Sequence, residues 1–231
     1  MQSSGPDPFL SRRLALVRGL EAAGIHDPDV LAAFAQIRRE LFVPPELVAR
    51  AYDDSALGIG HGQTISQPYI VARMTELLGL RRPPAEATSD GTLAVPHALD
   101  VGTGSGYQAA ILAALGIDVV SIERDAALSE SAVERLVRVG LAGRVHCVVG
   151  DGSQGWSSGA PYDGIVVAAA APRVPLPLVA QLADLGRLVI PIGPRDLQTL
   201  YVVTRLGDRV DERRYDPCVF VPLVGQFGFE L

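Results

Sequence analysis

The feature that most constrains the fold of this chain is a regular alternation of apolar runs and amphipathic helical patterns between residues 97 and 192. The pattern predicts strands at 97–101, 118–122, 144–149, 164–169 and 187–192, and helices at 106–115, 126–139 and 175–183. Nearly continuous apolar strands such as residues 165–167 are typical of parallel sheets covered on both faces. We therefore predict an α/β fold with a doubly wound, Rossmann-like parallel sheet and right-handed crossovers.

The segments on either side of this alternation have other patterns. Before it, the spacing predicts an N-terminal helical extension with helices at 11–23, 28–39, 46–51 and 68–78, and a glycine-rich, irregular stretch at 54–67. Ser11 is expected to cap the first helix and Gly24 to end it. After it, apolar runs at 200–205 and 218–224, joined by a turn at 206–208, predict an antiparallel strand pair at the sheet edge.

The chain is expected to divide into three parts that together form one structural unit. These parts are an N-terminal helical segment at 1–80, a proline-rich surface loop at 81–96 and an α/β core at 97–231 that includes the C-terminal strands. The loop is predicted from its proline, serine, threonine and glycine content, which is typical of irregular surface segments.

The charge balance argues against nucleic acid as a partner. The formal net charge is −6 at pH 7, whereas nucleic-acid binders usually carry a basic excess or stripe. The arginines instead occur as scattered pairs, which are expected to be solvated on the surface: 12/13, 38/39, 81/82 and 213/214. The same balance disfavours anionic membranes, and no apolar run approaches the roughly 20 residues of a membrane span.

Features that report on the cellular compartment point to the cytoplasm. Residues 1–10 are polar and contain proline, so they lack the pattern of a secretory signal peptide. The two cysteines, Cys147 and Cys218, each lie in an apolar run with the pattern of a strand. Two buried free thiols fit a reducing compartment. Neither cysteine has the spacing of a metal ligand, so no metal site is expected.

A glycine-rich turn follows the first core strand and opens a helix. Its sequence is Asp100-Val101-Gly102-Thr103-Gly104-Ser105-Gly106-Tyr107. Ligands of doubly wound sheets bind at the carboxyl ends of the strands, and glycine lets the backbone approach a ligand closely. The dinucleotide pattern G-x-G-x-x-G would place its third glycine at position 107, where this chain has tyrosine. The spacing therefore disfavours an NAD-dependent dehydrogenase. It does not exclude the alternative that the turn has only a structural role.

Acidic residues accompany the ends of the first three core strands. Asp100 precedes the glycine turn, Glu123 ends the second strand, and Asp151 follows the third. Glu123 is placed to accept hydrogen bonds from both hydroxyls of a ribose; the alternative is an exposed glutamate paired with Arg124. Asp151 is equally consistent with a simple turn. Three carboxylates at neighbouring strand ends favour a cationic ligand over an anionic one.

Several stretches together resemble a known family. Residues 102–107 resemble motif I of class I methyltransferases. Further stretches are similar to the protein-L-isoaspartate O-methyltransferase family, in register from about residue 39 to residue 224: 60–69 (GHGQTISQPY), 150–156 (GDGSQGW), 160–163 (APYD), 169–172 (AAAP) and 220–224 (FVPLV). The TISQP stretch at 64–68 is the most specific, since generic methyltransferases do not share it.

The resemblance implies a definite reaction and cofactor. The family transfers the methyl group of S-adenosylmethionine to the free α-carboxylate of an L-isoaspartyl residue, which promotes repair of the damaged protein through a succinimide. By this resemblance Asp151 contacts the adenine amino group. The complete set of expected cofactor-binding residues is Asp100, Gly102, Thr103, Gly104, Ser105, Gly106, Glu123, Arg124, Asp151 and Gly152.

The resemblance also implies an acceptor loop within residues 1–80. Ser66 matches the family's site serine and is expected to hold the acceptor carboxylate as a hydrogen-bond donor; the alternative is that it caps the next helix. The other expected acceptor-binding residues are His61, Gln63, Thr64, Ile65, Tyr69, Val221 and Val224. His61 is also consistent with an ordinary surface histidine. Ala168 departs from the family, in which many members have threonine.

Two other functions fit the same residues. One is a class I methyltransferase that acts on a small molecule or on RNA, against which the 64–69 loop and the acidic balance argue. The other is a non-catalytic relative that only binds the cofactor. The primary prediction is a monomeric, cytoplasmic repair methyltransferase whose partners are isoaspartyl-containing proteins and peptides, with no nucleic-acid or membrane partner.

Overall fold

The computed structural model describes residues 7–81 and 95–230. The first range contains α1 (Leu10–Ala22), α2 (Pro28–Gln36), 3-10 turns at Arg39–Leu41 and Pro45–Arg50, β1 (Leu57–Gly60), β2 (Gln63–Ile65) and α3 (Pro68–Leu78). The second contains β3 (His97–Val101), α4 (Tyr107–Ala114), β4 (Asp118–Glu123), α5 (Ala126–Arg138), β5 (Val145–Val149), β6 (Tyr162–Val167), α6 (Leu176–Ala180), β7 (Leu182–Ile192), β8 (Gln198–Leu206) and β9 (Arg209–Cys218). None of the helices in these two ranges has the length and apolar character needed to cross a membrane. Most of the loop expected at 81–96 lies outside the described residues.

The centre of the structure is a seven-stranded sheet in the order β5-β4-β3-β6-β7-β8-β9. β3 pairs in parallel with β4 and β6, and the β4–β5 and β6–β7 pairs are also parallel. β8 and β9 extend the far edge as antiparallel strands. The strand order reverses between β3 and β6, so ligands are expected at the carboxyl ends of these two strands. The predicted α/β sheet with an antiparallel edge is confirmed.

The central strands are buried on both faces, which explains their nearly continuous apolar sequences. Side chains alternate across a strand, so Leu99, Val101 and Ile165 contribute to one hydrophobic cluster while Ala98 and Val166 contribute to the other. Strands without a solvent-facing side need no polar alternation. Helix α4 covers one of these faces and is itself buried along almost its whole length.

The N-terminal helices pack against the core through aromatic side chains. Phe34 from α2 and Phe42 both contact the ring of Tyr107, the first residue of α4, with ring centroids 5.9 and 5.4 Å apart. Both pairs meet edge to face, the arrangement that aromatic quadrupoles favour. The N-terminal segment is therefore packed directly on the helix that follows the glycine turn.

The expected start of α1 is wrong by a short distance. The helix begins at Leu10, so Ser11 lies inside the first turn and Phe9 occupies the cap position. Asp7 accepts a hydrogen bond from the Phe9 amide at 3.0 Å and organises this end instead. Gly24 follows the other end with a φ of +99°, as expected for a residue that terminates a helix.

Two arginines expected on the surface are buried. The helix predicted at 28–39 ends at Gln36 because Ile37 is extended, and Arg39 opens a separate 3-10 turn. The Arg39 side chain enters the interior and is 0% exposed. Arg13 is 6% exposed and donates to the carbonyl oxygen of Ala35 at 2.7 Å. Charge pattern alone did not distinguish these two residues from their exposed neighbours.

The stretch predicted to be irregular at 54–67 contains a β-hairpin. β1 and β2 pair antiparallel with Leu57 opposite Ile65. The turn between them contains His61 and Gly62, both with positive φ, at 54° and 70°. Leu57, Ile59 and Ile65 are buried, so the hairpin packs one face on the core. The strands are too short and glycine-rich to give a periodic sequence signal.

The strand predicted at 218–224 is wrong. The strand that pairs with β8 is β9 at Arg209–Cys218, directly after the turn at Gly207. Residues 219–230 are largely irregular and join the sheet through a bridge between Ala170 and Pro222. β9 lies at the sheet edge and is mostly polar, as exposed edge strands commonly are. Its sequence therefore lacked the apolar signal on which the prediction rested.

The helix predicted at 175–183 is shorter, because β7 begins at Leu182 rather than at residue 187. The early part of this strand contains Leu185 with a φ of +63°, and its register against β6 shifts between Tyr162 and Gly164. This irregularity interrupts the strand pattern in the sequence and hides the true start of β7.

The two cysteines lie in strands, as predicted, but they are half-buried rather than buried. Cys147 is in β5, and Cys218 is the last residue of β9. Burial raises the pKa of each thiol to about 11. Both side chains are therefore protonated at neutral pH and weakly nucleophilic.

Candidate active site

A cavity of about 330 Å³ opens at the carboxyl ends of β3, β4 and β6. Its volume is within the range of small-molecule sites. Three segments distant in sequence form its walls: the glycine turn after β3, the β1–β2 hairpin and the C-terminal residues 221–224. The predicted site residues that line it are His61, Gln63, Thr64, Ile65, Ser66, Gly102, Thr103, Gly104, Ser105, Glu123, Arg124, Gly152, Val221 and Val224.

Four predicted site residues lie outside this lining. Gly106 directly precedes α4 with a φ of +86° and faces Ala132 of α5, which a Cβ at Gly106 would approach to 3.2 Å. Tyr69 lines an adjoining groove together with Phe220, and this groove shares Thr64, Ser66, Ala168 and Val221 with the cavity. Asp100 and Asp151 are held by other protein groups, described below.

The lining also includes residues that were not named among the predicted site residues: Gly62, Val71, Val101, Tyr107, Gln108, Ile122, Ala169, Pro222 and Leu223. Most of them lie within or directly beside a motif quoted from the sequence, so membership of these motifs was the available signal. Val71 and Gln108 are the exceptions, because their orientation depends on how α3 packs against α4. Gln108 donates to the Thr75 hydroxyl at 3.0 Å, which links these two helices.

The floor of the cavity is the glycine turn. Gly102, Gly104 and Gly106 have φ values of +93°, +50° and +86°, a region that other L-residues rarely adopt. The turn is held by the Ile122 carbonyl, which accepts from Gly102 N at 2.9 Å. Without side chains at 102 and 104, the backbone there is open to the cavity. The motif therefore has a conformational requirement that only glycine meets easily.

Glu123 stands beside this turn and organises it. Its Oε2 accepts from Gly104 N at 2.9 Å, and its Oε1 accepts from the amides of Arg124 and Asp125 at 2.8 and 3.1 Å. The side chain is 7% exposed, which contradicts the alternative of an exposed glutamate. A carboxylate has about four lone-pair positions, so one position remains for a ligand hydroxyl.

The Asp151 carboxylate accepts hydrogen bonds from other groups of the protein. Its Oδ1 accepts from the amide and hydroxyl of Ser153 at 3.0 and 2.7 Å, and its Oδ2 accepts from Gln154 Nε2 and Gln226 N at 3.0 and 2.9 Å. Burial acts to raise the pKa of Asp151, but these hydrogen bonds lower it below its ordinary value. The carboxylate thus fastens the C-terminal segment, while its neighbour Gly152 lines the cavity.

Asp100 lies beneath the floor. It is 0% exposed, and Ser121 Oγ donates to its Oδ2 at 2.7 Å. The Ser121 hydroxyl is also 2.6 Å from Thr103 Oγ1, and Thr103 lines the cavity. Asp100 Oδ1 has no hydrogen-bond partner within residues 7–81 and 95–230. Burial, opposed by the Ser121 bond and reinforced by the charge of Glu123, raises the pKa of Asp100 to about 7.

The Asp100→Asn variant is expected to lose less stability than the unmodified protein as the pH rises from 5 to 8. The pKa of Asp100 is about 7 in the folded chain against 3.8 for the free group. Between pH 3.8 and pH 7 this side chain is therefore protonated in the folded state and ionised in the unfolded state. The stability from this group is complete below about pH 4 and is lost as the pH passes through about 7. Between pH 5 and pH 8, the free energy of unfolding should fall by roughly 2–4 kcal/mol more in the unmodified protein than in Asp100→Asn. Urea unfolding of both proteins at both pH values measures this difference. Equal losses in the two proteins would contradict the buried-acid assignment.

The β1–β2 hairpin contacts the N-terminal end of α5 through His61. His61 Nδ1 is 2.8 Å from Asp125 Oδ2, and Asp125 also caps α5 by accepting from the amides of Ala127 and Leu128. The Leu128 amide and the contact with His61 lower the pKa of Asp125. The His61 side chain is 48% exposed, so it is both a surface histidine and part of the cavity mouth.

Ser66 lines both the cavity and the adjoining groove. Its carbonyl accepts from Arg39 Nη2 at 3.0 Å, whereas its hydroxyl has no hydrogen-bond partner within the described ranges. The alternative role as a helix cap is wrong, because Gln67 occupies the cap position and Asp54 provides the cap. Asp54 Oδ1 accepts from Tyr69 N at 2.8 Å, and its Oδ2 accepts from Gln67 Nε2 at 3.0 Å.

Comparison with known sequences identifies the family. The pattern of the protein-L-isoaspartate (D-aspartate) O-methyltransferase family matches residues 11–228. A protein-L-isoaspartate O-methyltransferase of Chlorobium luteolum is 48% identical over 222 residues, covering 96% of this chain and 94% of the relative. A protein of the same name from Methanoregula boonei is 48% identical over 219 residues, covering 95% of each chain.

Solved structures agree with this assignment. One protein-L-isoaspartate O-methyltransferase aligns with a TM-score of 0.81 at 27% identity, over 94% of this chain and 67% of the other. A Plasmodium falciparum enzyme described by the same name, in complex with S-adenosyl-L-homocysteine, aligns with a TM-score of 0.76 at 26% identity, over 92% of this chain and 98% of the other. The chain therefore belongs to the protein-L-isoaspartate (D-aspartate) O-methyltransferase family.

Proposed function

We propose that this protein transfers a methyl group from S-adenosylmethionine to the α-carboxylate of L-isoaspartyl residues in damaged proteins and peptides. One observation carries the proposal: residues 102–105 of the glycine turn and Ser66 line one shared cavity. A methyl donor on the turn and a carboxylate beside Ser66 would then be neighbours. Family membership supports the same reaction.

The residues of the cavity fit the cofactor. The glycine turn leaves its backbone uncovered, and Glu123 has one lone-pair position available for a ribose hydroxyl. A Cβ at Gly152 would come within 2.6 Å of Val101 Cγ1, so this close approach is preserved only by glycine. When bound, S-adenosylmethionine supplies an electrophilic methyl group. The negative charge of Glu123 suits the positive charge of this ligand, and we assign adenine contact to the Gly152 side of the cavity.

The acceptor needs positioning more than activation. A free α-carboxyl group has a pKa of about 3.5, so it is already an anion at neutral pH and needs no general base. We assign Ser66 to donate a hydrogen bond to one carboxylate oxygen and leave the other directed at the methyl group. Gln63, Thr64, Val221 and Val224 would enclose the reacting atoms, since alignment and exclusion of water supply most of the rate in such a step.

The same proposal places the activity in the cytoplasm, carried out by a monomer. Two half-buried free cysteines are consistent with a reducing compartment. The aromatic contacts of Phe34 and Phe42 with Tyr107 support the proposal that the described residues of 1–80 and 97–231 act as one structural unit. Sedimentation at several protein concentrations would measure the oligomeric state, and a concentration-dependent dimer would contradict the monomer.

A pair of peptides tests the reaction directly. The protein is incubated with methyl-labelled S-adenosylmethionine and two peptides that differ only in carrying an isoaspartyl or a normal aspartyl linkage. We expect base-labile methyl ester on the isoaspartyl peptide and at least about tenfold less on the other, because only the former presents a free α-carboxylate at this residue. Cofactor binding without transfer to either peptide would favour a non-catalytic relative. Equal transfer to both would indicate a methyltransferase with another acceptor.

A further inference from the structure

Arg39 is a buried cation placed directly behind the acceptor side of the cavity. Its Nε donates to the Ala51 carbonyl at 2.8 Å, and its Nη2 donates to the Ser66 carbonyl at 3.0 Å, with a longer contact of 3.5 Å to Ser55 O. The side chain is 0% exposed. One guanidinium therefore fixes the loop at 51–55 to Ser66, which lines the cavity.

The same guanidinium also reaches the cofactor side. Its central carbon lies 4.9 Å from the ring centroid of Tyr107, over the face of the ring. Tyr107 is the first residue of α4, directly after the glycine turn, and it lines the cavity. Arg39 thus touches both structures whose separation sets the distance between methyl donor and acceptor. No other cation of the described residues combines a bond to the Ser66 carbonyl with a contact to Tyr107.

The charge of Arg39 is not neutralised by a carboxylate ion pair within residues 7–81 and 95–230, and its Nη1 has no hydrogen-bond partner there. Asp54 acts on it only at longer range and is occupied by Gln67 and Tyr69. Burial lowers the pKa of Arg39, but guanidinium remains protonated in proteins. A buried cation without an ionic partner is costly for stability, which suggests that its charge serves an anion that binds nearby.

We propose that Arg39 is a positioning residue for the acceptor: it fixes the Ser66 segment against the cofactor turn and provides positive charge behind the carboxylate site. This inference rests on the proposed function, because it needs an anionic acceptor at Ser66. An acceptor carboxylate at Ser66 would provide the negative charge that no carboxylate of the described residues provides for Arg39. The effect requires no direct contact, since a unit charge in a low-dielectric interior acts over several ångströms.

Substitutions that separate charge from shape test the inference. Arg39→Lys keeps the charge and one or two donors, whereas Arg39→Met removes both. We expect kcat/KM for the isoaspartyl peptide to fall about threefold in Arg39→Lys and at least tenfold in Arg39→Met, in line with a lost charged hydrogen bond. The affinity for S-adenosylhomocysteine should change less than threefold in both. Arg13→Lys is the matched control, since Arg13 is a second buried arginine that contacts neither Ser66 nor Tyr107.

A binding measurement distinguishes electrostatic positioning from a purely structural role. With S-adenosylhomocysteine present, the isoaspartyl peptide is titrated against an analogue whose α-carboxylate is a carboxamide. Arg39→Met should weaken binding of the charged peptide about tenfold and leave the amide analogue unchanged, because only the anion senses the lost charge. A structural defect would weaken both peptides equally.

The outcomes separate this inference from the proposed function. If the unmodified protein esterifies the isoaspartyl peptide but Arg39→Met does so with unchanged kcat/KM, only the role of Arg39 is overturned. Equal weakening of both peptides, or unfolding of both variants at 25 °C by circular dichroism, would also overturn it. If the unmodified protein esterifies neither peptide, the proposed function fails and the inference fails with it.

Discussion

Replacing Glu123 with alanine is expected to weaken binding of S-adenosylmethionine by about 100-fold, because a hydrogen bond to a charged group contributes about 1.5–3 kcal/mol and several are lost together. The carboxylate accepts from Gly104, Arg124 and Asp125, and it has room for a ribose hydroxyl. Alanine would remove the ribose acceptor and also release three amides that shape the turn. The loss should therefore exceed that of a single ligand contact.

Calorimetric titration with S-adenosylmethionine measures this change in affinity, and two further variants serve as controls. Glu123→Gln retains one acceptor oxygen but not the charge, so its affinity should lie between those of the unmodified protein and Glu123→Ala. Glu134→Ala removes an exposed carboxylate from α5 and should leave the affinity unchanged. An affinity within threefold of the unmodified protein in Glu123→Ala would place the ribose elsewhere and remove the main argument for the cofactor site.

Local sequence signals predicted the part of the site that depends on backbone conformation. The glycines at 102, 104 and 106 are needed for positive φ, so the turn could be recognised without knowing its surroundings. Glu123 ends a strand whose neighbours run parallel, and parallel strands bring their carboxyl ends to one edge. Helix α3 begins at Pro68, as predicted from proline at a first helical position.

Features that depend on distant contacts could not be predicted in the same way. Arg39 is buried because carbonyls at 51 and 66 converge on it, and nothing near residue 39 in the sequence indicates this. Asp151 accepts hydrogen bonds from Ser153 and from the Gln226 amide, which lies 75 positions away along the chain, and no local signal near residue 151 indicates the second contact. β9 was missed because an edge strand needs few apolar residues.

Replacing Ser66 with alanine is expected to reduce kcat for the isoaspartyl peptide by about 10- to 100-fold, the range for a lost donor to a charged group. Its hydroxyl is free of protein partners within the described ranges, while its carbonyl is already fixed by Arg39. Removing the hydroxyl should leave the backbone in place and remove only the hydrogen bond to the carboxylate oxygen of the isoaspartyl acceptor. Initial rates at saturating cofactor, with peptide concentration varied, separate kcat from KM.

The interpretation of Ser66→Ala depends on showing that the cavity survives the substitution. Helix α3 is capped by Asp54 rather than by Ser66, so the variant should unfold at the same temperature as the unmodified protein. Ser157→Ala, in an exposed 3-10 turn, controls for loss of a hydroxyl away from the cavity. If Ser66→Ala keeps full kcat with normal cofactor affinity, the hydroxyl is not needed to orient the carboxylate. The acceptor would then have to be oriented by backbone amides and by the charge of Arg39, which would make Arg39→Met the more damaging of the two variants.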